Sequence, residues 1–206
     1  MFGVCRFRGT ATAEPAIVRP TRRRGIVVEV TQMTNNSNLL IRRATAADAR
    51  AIAEIGVLGW QAAYRGFLPH DFLAGLSVAP REVAWRAVIE SDADNGAPAW
   101  IAERDGRAIG FVTSGPPRDE DVPLPAAEVY AIYVLPGTWR SGAGAALLAT
   151  AVNHWRALGT TTLVLWVLEA NIQGRAFYEA LGWQADGHRQ EVDFGGFTRT
   201  EIRYSR

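Results

Sequence analysis

VYAIYVLPGTWRSGAGAALL, residues 129–148, runs a β-strand into a loop and the loop into a helix. Apolar residues fill the strand to Leu135 and Pro136 ends it. Gly142 and Gly144 then open a helix whose apolar stripe is Leu147, Leu148, Ala151, Val152 and Trp155. The first N–H groups of a helix lack partners and sit at the positive end of its dipole, so they bind phosphate groups. Glycine lets such a group approach the backbone, although a Gly-x-Gly also serves merely to pack a helix closely. All 22 basic side chains other than histidine are arginine. The missing lysine excludes a Walker A loop, a Schiff base and a Ser-x-x-Lys nucleophile. A dinucleotide fingerprint needs three glycines directly after the strand and an acid about 20 residues on. Here residues 136–140 intervene, Ala145 to Leu147 supply no third glycine, and about 37 residues remain beyond Glu169. That is too little chain for the rest of a doubly wound sheet.

A second stretch follows, LVLWVLEANIQGRAFYEALGW, residues 163–183. It reads as a buried strand, then a helix begun by Asn171 and stopped by Gly182 at its C′ position. Together the two stretches resemble the GCN5-related N-acetyltransferase (GNAT) family. The family's Val-x-Pro and Q/R-x-x-G-x-G/A loop aligns without a gap on Val134 to Pro136 and on Trp139 to Gly144. Its next motif, a helix-opening Asn followed by Tyr and a terminal Leu-Gly-Phe/Trp, aligns on Asn171, Tyr178 and Leu181 to Trp183. The Gln/Arg position of the loop holds Trp139, a departure that leaves the backbone cradle untouched. Glu128 at the start of the central strand and WQAAYRG at 60–66 are similar to the family too, and the match runs from Leu39 to about Tyr204.

The resemblance implies an α/β fold of the GNAT acyl-CoA N-acyltransferase type, a mixed central sheet flanked by helices. It also implies acetyl-CoA as co-substrate with no metal, and direct transfer of acetyl to a primary amine of a small molecule or peptide. That is an acyltransferase moving groups other than aminoacyl. Backbone groups of Tyr133 and Val134 would pair with pantetheine as a further strand. Residues Trp139, Arg140, Ser141, Gly142, Ala143, Gly144 and Ala145 would hold the phosphates, mainly through N–H groups. Asn171 would bond the pantetheine arm, or serve only as a helix cap. Tyr178 would be the general acid for the CoA thiolate, or a tyrosine packing its ring under the sheet. An amine of pKa about 10 is only about 0.1% neutral at pH 7, so a base is useful. Glu128 is the candidate, acting through water; a solvated strand edge is its plainer role. Alternation places Glu128, Tyr130, Ile132 and Val134 on one face. Trp60 and Tyr64, one helical turn apart, would wall the acceptor site or belong to the core. Asp119 to Asp121 read as a solvated loop or as an attractor for a cationic acceptor. A catalytically inactive CoA-binding sensor of the same fold is the alternative function.

Composition agrees with this class. Twenty-two basic residues against 21 acids argue against a nucleic-acid binder, and no run reaches the about 18 apolar residues of a membrane helix. One cysteine, Cys5, and three scattered histidines, His70, His154 and His188, make no metal-ligand set, so the cytoplasm is expected. Residues 1–32 carry six arginines and two acids. Residues 1–38 are therefore expected to be a disordered Arg-rich extension, or residues 1–32 to precede a true start at Met33, with one domain over 39–206. Its predicted order is β-α-α-β-β-β-α-β-α-β-β, with a turn at Asp105-Gly106, a loop at 116–125, and a buried stripe of Val83, Trp85, Val88 and Ile89 on the helix after Pro80. Dimers are common in the family, and the acceptor is not legible.

Overall fold

The computed structural model describes residues 38–95 and 97–206. The Arg-rich extension and Met33 lie outside the described residues. Seven strands form one sheet: β1 (Leu39–Arg43), β2 (Ala99–Arg104), β3 (Arg107–Gly115), β4 (Ala126–Val134), β5 (Thr162–Leu168), β6 (Gln184–Asp193) and β7 (Thr198–Ser205). Their order across it is β1-β2-β3-β4-β5-β7-β6. Every neighbouring pair is antiparallel except β4 and β5. Five helices join them: α1 (Ala49–Ala63), α2 (His70–Ala74), α3 (Val78–Asn95), α4 (Ala143–Ala157) and α5 (Ile172–Ala180). The mixed α/β sheet flanked by helices is thus the expected one. Among the described residues no helix is long and apolar enough to cross a membrane.

Local chemistry explains the junctions. Asp105 and Gly106 both take positive φ, 51° and 73°, which a tight β2–β3 hairpin requires. Thr45 donates its backbone N–H and its hydroxyl to Asp48 Oδ2, opening the turn that leads into α1. Gly182, at φ 81°, ends α5.

Two apolar layers cover the sheet. Beneath α4 and α5, Val129, Ile132, Val134, Leu147, Leu148, Leu163, Leu165 and Val167 are buried. On the other face, Ile52, Ile55, Trp60 and Tyr64 of α1 and its end meet Ile89, Phe111, Ala131 and Tyr133. Helix α1 lies close to β4 because Gly59 has no side chain: a Cβ there would fall 2.5 Å from Tyr133 Cδ1. The expected α3 stripe is corrected at Val83, which is 71% exposed. Trp85 and Ile89 form the contact. Val83 lies two positions from Trp85, hence on the opposite side of the helix.

One irregularity shapes everything that follows. The β3–β4 register shifts between Thr113↔Ala131 and Ser114↔Val129, leaving Tyr130 as an extra residue. The bulge reverses the alternation of the strand. Glu128 pairs across from Val164, and Val129 from Leu165 of the α4-side core. Glu128 therefore shares a face with Ala131 and Tyr133, not with Ile132 and Val134 as unbroken alternation predicts.

Candidate active site

β4 and β5 are zipped together only over Ala126–Val129 and Thr162–Leu165. Beyond that point β5 pairs with β7 and β4 with β3, and the two diverge. From Tyr130 to Val134, β4 has no strand on its β5 side among the described residues. The cleft's backbone lining follows from hydrogen-bond alternation. Leu135 N–H bonds the Ile109 carbonyl at 2.8 Å, so Tyr133, two residues back, also turns its backbone to β3, opposite Phe111. Val134 and Ile132 turn theirs into the cleft. Of the two backbones expected to line this edge, then, only that of Val134 does so. Its carbonyl accepts the indole N–H of Trp139 at 2.8 Å, which gives the unusual residue of the loop a definite task.

At the cleft's end, the loop reaches α4 through two left-handed residues, Arg140 at φ 62° and Gly142 at φ 84°. Gly142 is the N-cap, and the first helical bond runs from Ala146 N–H to its carbonyl. The N–H groups of Ala143, Gly144 and Ala145 thus lack intrahelical acceptors and point along the axis. Arg104 Nη2 donates to the Ser141 carbonyl at 3.2 Å, placing a cation that the sequence reading missed against this loop.

α5 forms another wall. Asn171 Oδ1 caps the helix by accepting Gly174 N–H at 3.0 Å. Its Nδ2, the Tyr178 hydroxyl and Trp183 Nε1 are buried without a hydrogen-bond partner. Each such group costs about 1–3 kcal/mol if left unsatisfied, so three along one short helix and its ends mark a place built for a ligand. Burial pushes the Tyr178 phenol well above the ordinary tyrosine range, and the neighbouring Tyr64 adds to the shift. Tyr178 belongs to the α4-side layer and Tyr64 to the opposite one.

On the α1 side, Trp60 and Tyr64 meet edge to face with centroids 4.8 Å apart. Phe194, at the end of β6, packs on Trp60 at 5.8 Å. The Tyr64 and Tyr133 hydroxyls are 3.5 Å apart. Both predicted acceptor residues are buried in the α1-side core. The ring of Phe194 comes from more than a hundred residues away, and the Tyr133 side chain was passed over in favour of its backbone.

Glu128 is fully buried and is not a solvated edge. Its carboxylate accepts Arg118 Nη2 at 2.6 Å, Arg118 Nε at 3.2 Å and Arg118 backbone N–H at 2.9 Å. The guanidinium lies 4.4 Å over the Tyr130 ring. Beyond it, the 116–125 loop is largely exposed, yet two of its acids are tied down. Buried Arg203 bonds Asp121 at 2.7 Å, Asp186 at 2.6 Å and Asp119 at 3.3 Å, and Trp166 Nε1 donates to Asp119 at 2.7 Å. The expectation of a solvated stretch is corrected for Asp119, which is buried against Arg203, whereas Asp121 is ion-paired and half-exposed.

Residues 60–183 match the acetyltransferase (GNAT) family model. An uncharacterized N-acetyltransferase of Bacillus subtilis (strain 168), YuaI, is 33% identical over 141 residues, 68% of this chain and 77% of its own. In fold, the chain is similar to the PaiA N-acetyltransferase of Thermoplasma acidophilum in complex with coenzyme A, with TM-score 0.64 and 18% identity over 80% of this chain and 97% of that one. It is likewise similar to the ribosomal-protein-alanine N-acetyltransferase of Brucella melitensis, with TM-score 0.64 and 24% identity over 81% and 98%. Similar by sequence as well as by shape, the chain belongs to the GNAT acetyltransferase family.

Proposed function

We propose that the protein is a cytoplasmic acetyl-CoA-dependent N-acetyltransferase that passes acetyl directly to a primary amine of a small molecule or peptide. The observation that carries this reading is the group of unpartnered buried atoms, Asn171 Nδ2, Tyr178 OH and Trp183 Nε1, beside an open strand edge. These groups fit a thioester carrying an amide-bearing arm. The N–H groups of residues 143–145 and the Arg104 guanidinium suit its phosphates, and the Val134 backbone suits its amides. Acetyl-CoA supplies an activated acyl carbon.

Within the cleft the chain's own groups have separable tasks. Glu128, through a water, takes a proton from the ammonium, so that the nitrogen lone pair becomes available. The new C–N bond forms as the C–S bond breaks. Tyr178, protonated because burial raises its pKa, gives a hydrogen bond and then its proton to the departing thiolate. Trp60, Tyr64 and Phe194 exclude water around the acceptor.

The test is a thermal-shift comparison of acetyl-CoA, CoA and NADH, followed by thiol release in the presence of a panel of amines. Ligand at about 100 times its Kd adds about 2.7 kcal/mol of stability. A shift with the CoA pair and amine-dependent thiol release supports the reading. A shift without release from any amine moves the protein to the sensor class, and a response to NADH alone overturns the donor site.

A further inference from the structure

We infer that the outer edge of β6 is a docking surface for a second copy of this chain. The two edges pair antiparallel about a two-fold axis at Gln190, so that Arg189 of each copy faces Glu191 of the other. The inference does not depend on the transferase reading.

The sheet ends in two outer strands, β1 and β6. Among the described residues each is paired on one side only. The hairpin with β7 fixes which backbone groups β6 leaves over. Phe194 N–H bonds the Phe197 carbonyl at 3.0 Å, and the ladder runs unbroken from Asp193↔Thr198 to Arg189↔Ile202. Alternation then turns the N–H and C=O of Val192 and Gln190 to β7, and those of Arg189, Glu191 and Asp193 outward. The other side of β7 gives the same phase. Glu169 N–H bonds the Thr200 carbonyl at 2.9 Å, so Thr200, opposite Glu191, turns its backbone away from β6. Arg189, Glu191 and Asp193 are all exposed. An unpaired ladder of this kind is a template for another strand.

The side chains decide which strand fits. An edge carrying one sign of charge repels an identical edge, whereas here the sign alternates about Gln190, with Arg189 before it and Glu191 after it. An antiparallel copy centred on Gln190 sets Arg189 opposite Glu191 on both sides of the axis. Both residues point their backbones outward, so each such pair can exchange both of its N–H···O=C bonds. Opposite charges directly across from each other add to the pairing. Centring on Glu191 instead would bring two glutamates together, which is unfavourable. Thr200 Oγ1 donates to Glu191 at 2.7 Å and Arg189 is paired with Glu169, so both side chains are already held on this face. The β1 edge offers no such match. Centred on Ile41 it sets Leu40 opposite Arg42, which is bound by Asp48 and Glu103. Because each copy has one β6 edge, the assembly closes at two. Phe194 directly follows this edge and packs on Trp60 at 5.8 Å, so the pairing also braces the hairpin that carries that ring.

The experiment is sedimentation equilibrium of the full chain, 22.5 kDa as a monomer, at micromolar concentration. The expected species is a dimer. Arg189→Glu and Glu191→Arg should each weaken dimerisation at least tenfold, because like charges then meet across the axis. An equimolar mixture of the two variants should dimerise again, because each supplies the charge the other lacks. Glu191→Pro is a further probe: it deletes an outward N–H that β7 does not use, and it should give a monomer whose melting temperature is close to that of Glu191→Arg. A monomeric unaltered chain, or an assembly larger than two, overturns the inference. So does a dimer that survives both charge reversals or Glu191→Pro, since another surface would then carry it. Reversed variants that stay monomeric when mixed overturn it as well, because their loss would come from β6 itself and not from the contact.

Discussion

The first residues of β4, Ala126 to Val129, are paired with β5, Glu128 and Val129 with β3 as well, and Glu128 carries a carboxylate closed off by arginine. The last five, Tyr130 to Val134, keep only β3, and their other edge opens toward β5 and α5. One strand is thus a sealed structural member at one end and an exposed ladder at the other. The bulge at Tyr130 is the boundary, and it also turns Glu128 to the face that carries Tyr133. The comparison teaches that a single extra residue can mark where a strand changes neighbours and turn a buried carboxylate to the other face. The open end is where polar groups are left unsatisfied, and the closed end is where they are saturated.

The most severe challenge to the open end is Tyr178→Phe. It should lower kcat by about 100-fold, within the usual range for a positioned acid, while changing acetyl-CoA affinity by less than about threefold. The melting temperature should not fall, because the lost hydroxyl has no partner in the folded protein. The same variant has a pH signature. Since the folded phenol ionises well above the ordinary value, the unfolded chain releases its proton first, and Tyr178 lowers stability as pH rises past about 10. The phenylalanine variant should lose that part of the alkaline destabilisation in thermal melts. Equal losses in kcat and affinity would remove the acid role.

Gly142→Val places a branched side chain at φ 84° where phosphates are expected. CoA affinity by calorimetry should weaken about tenfold or more, from strain of about 1–2 kcal/mol and lost space together; unchanged affinity would detach the loop from donor binding. Asn171→Ala removes the α5 cap and should cost about 1 kcal/mol in denaturant melts. It should also weaken CoA binding severalfold, and a purely structural asparagine would show only the first effect. Trp139→Phe is the gentlest probe. It frees the Val134 carbonyl at the open edge, and CoA affinity should change by less than about threefold.

The donor half was legible because its signals are local. A proline, two glycines, an asparagine and a tyrosine at fixed spacing specify a strand, a loop and two helices, and their chemistry acts mainly through backbone groups. The Asp105-Gly106 hairpin and the Gly182 stop were readable for the same reason: each is a conformational requirement of one or two residues. Arg118, Arg104 and Phe194 carried no such mark. Nothing in a run of prolines and acids says that Arg118 will be folded back onto Glu128, and nothing near Asp193 says that the next ring will reach Trp60. The misassigned faces of Glu128 and Val83 have different origins. Alternation assumed an unbroken ladder in β4, whereas the α3 stripe admitted a residue from the wrong side of the helix.

By itself, then, the sequence determined the order of the strands and of four of the five described helices, α2 (His70–Ala74) being absent from the expected order, together with the glycine-opened helix end and the family, since periodicity and turn chemistry are properties of neighbours along the chain. Only the tertiary structure decided which face Glu128 occupies, that Arg118 holds it, and that Tyr64 and Tyr178 fall in opposite apolar layers. Those facts depend on where β4 and β5 part, and a bulge is set by the pairing of two strands rather than by either one.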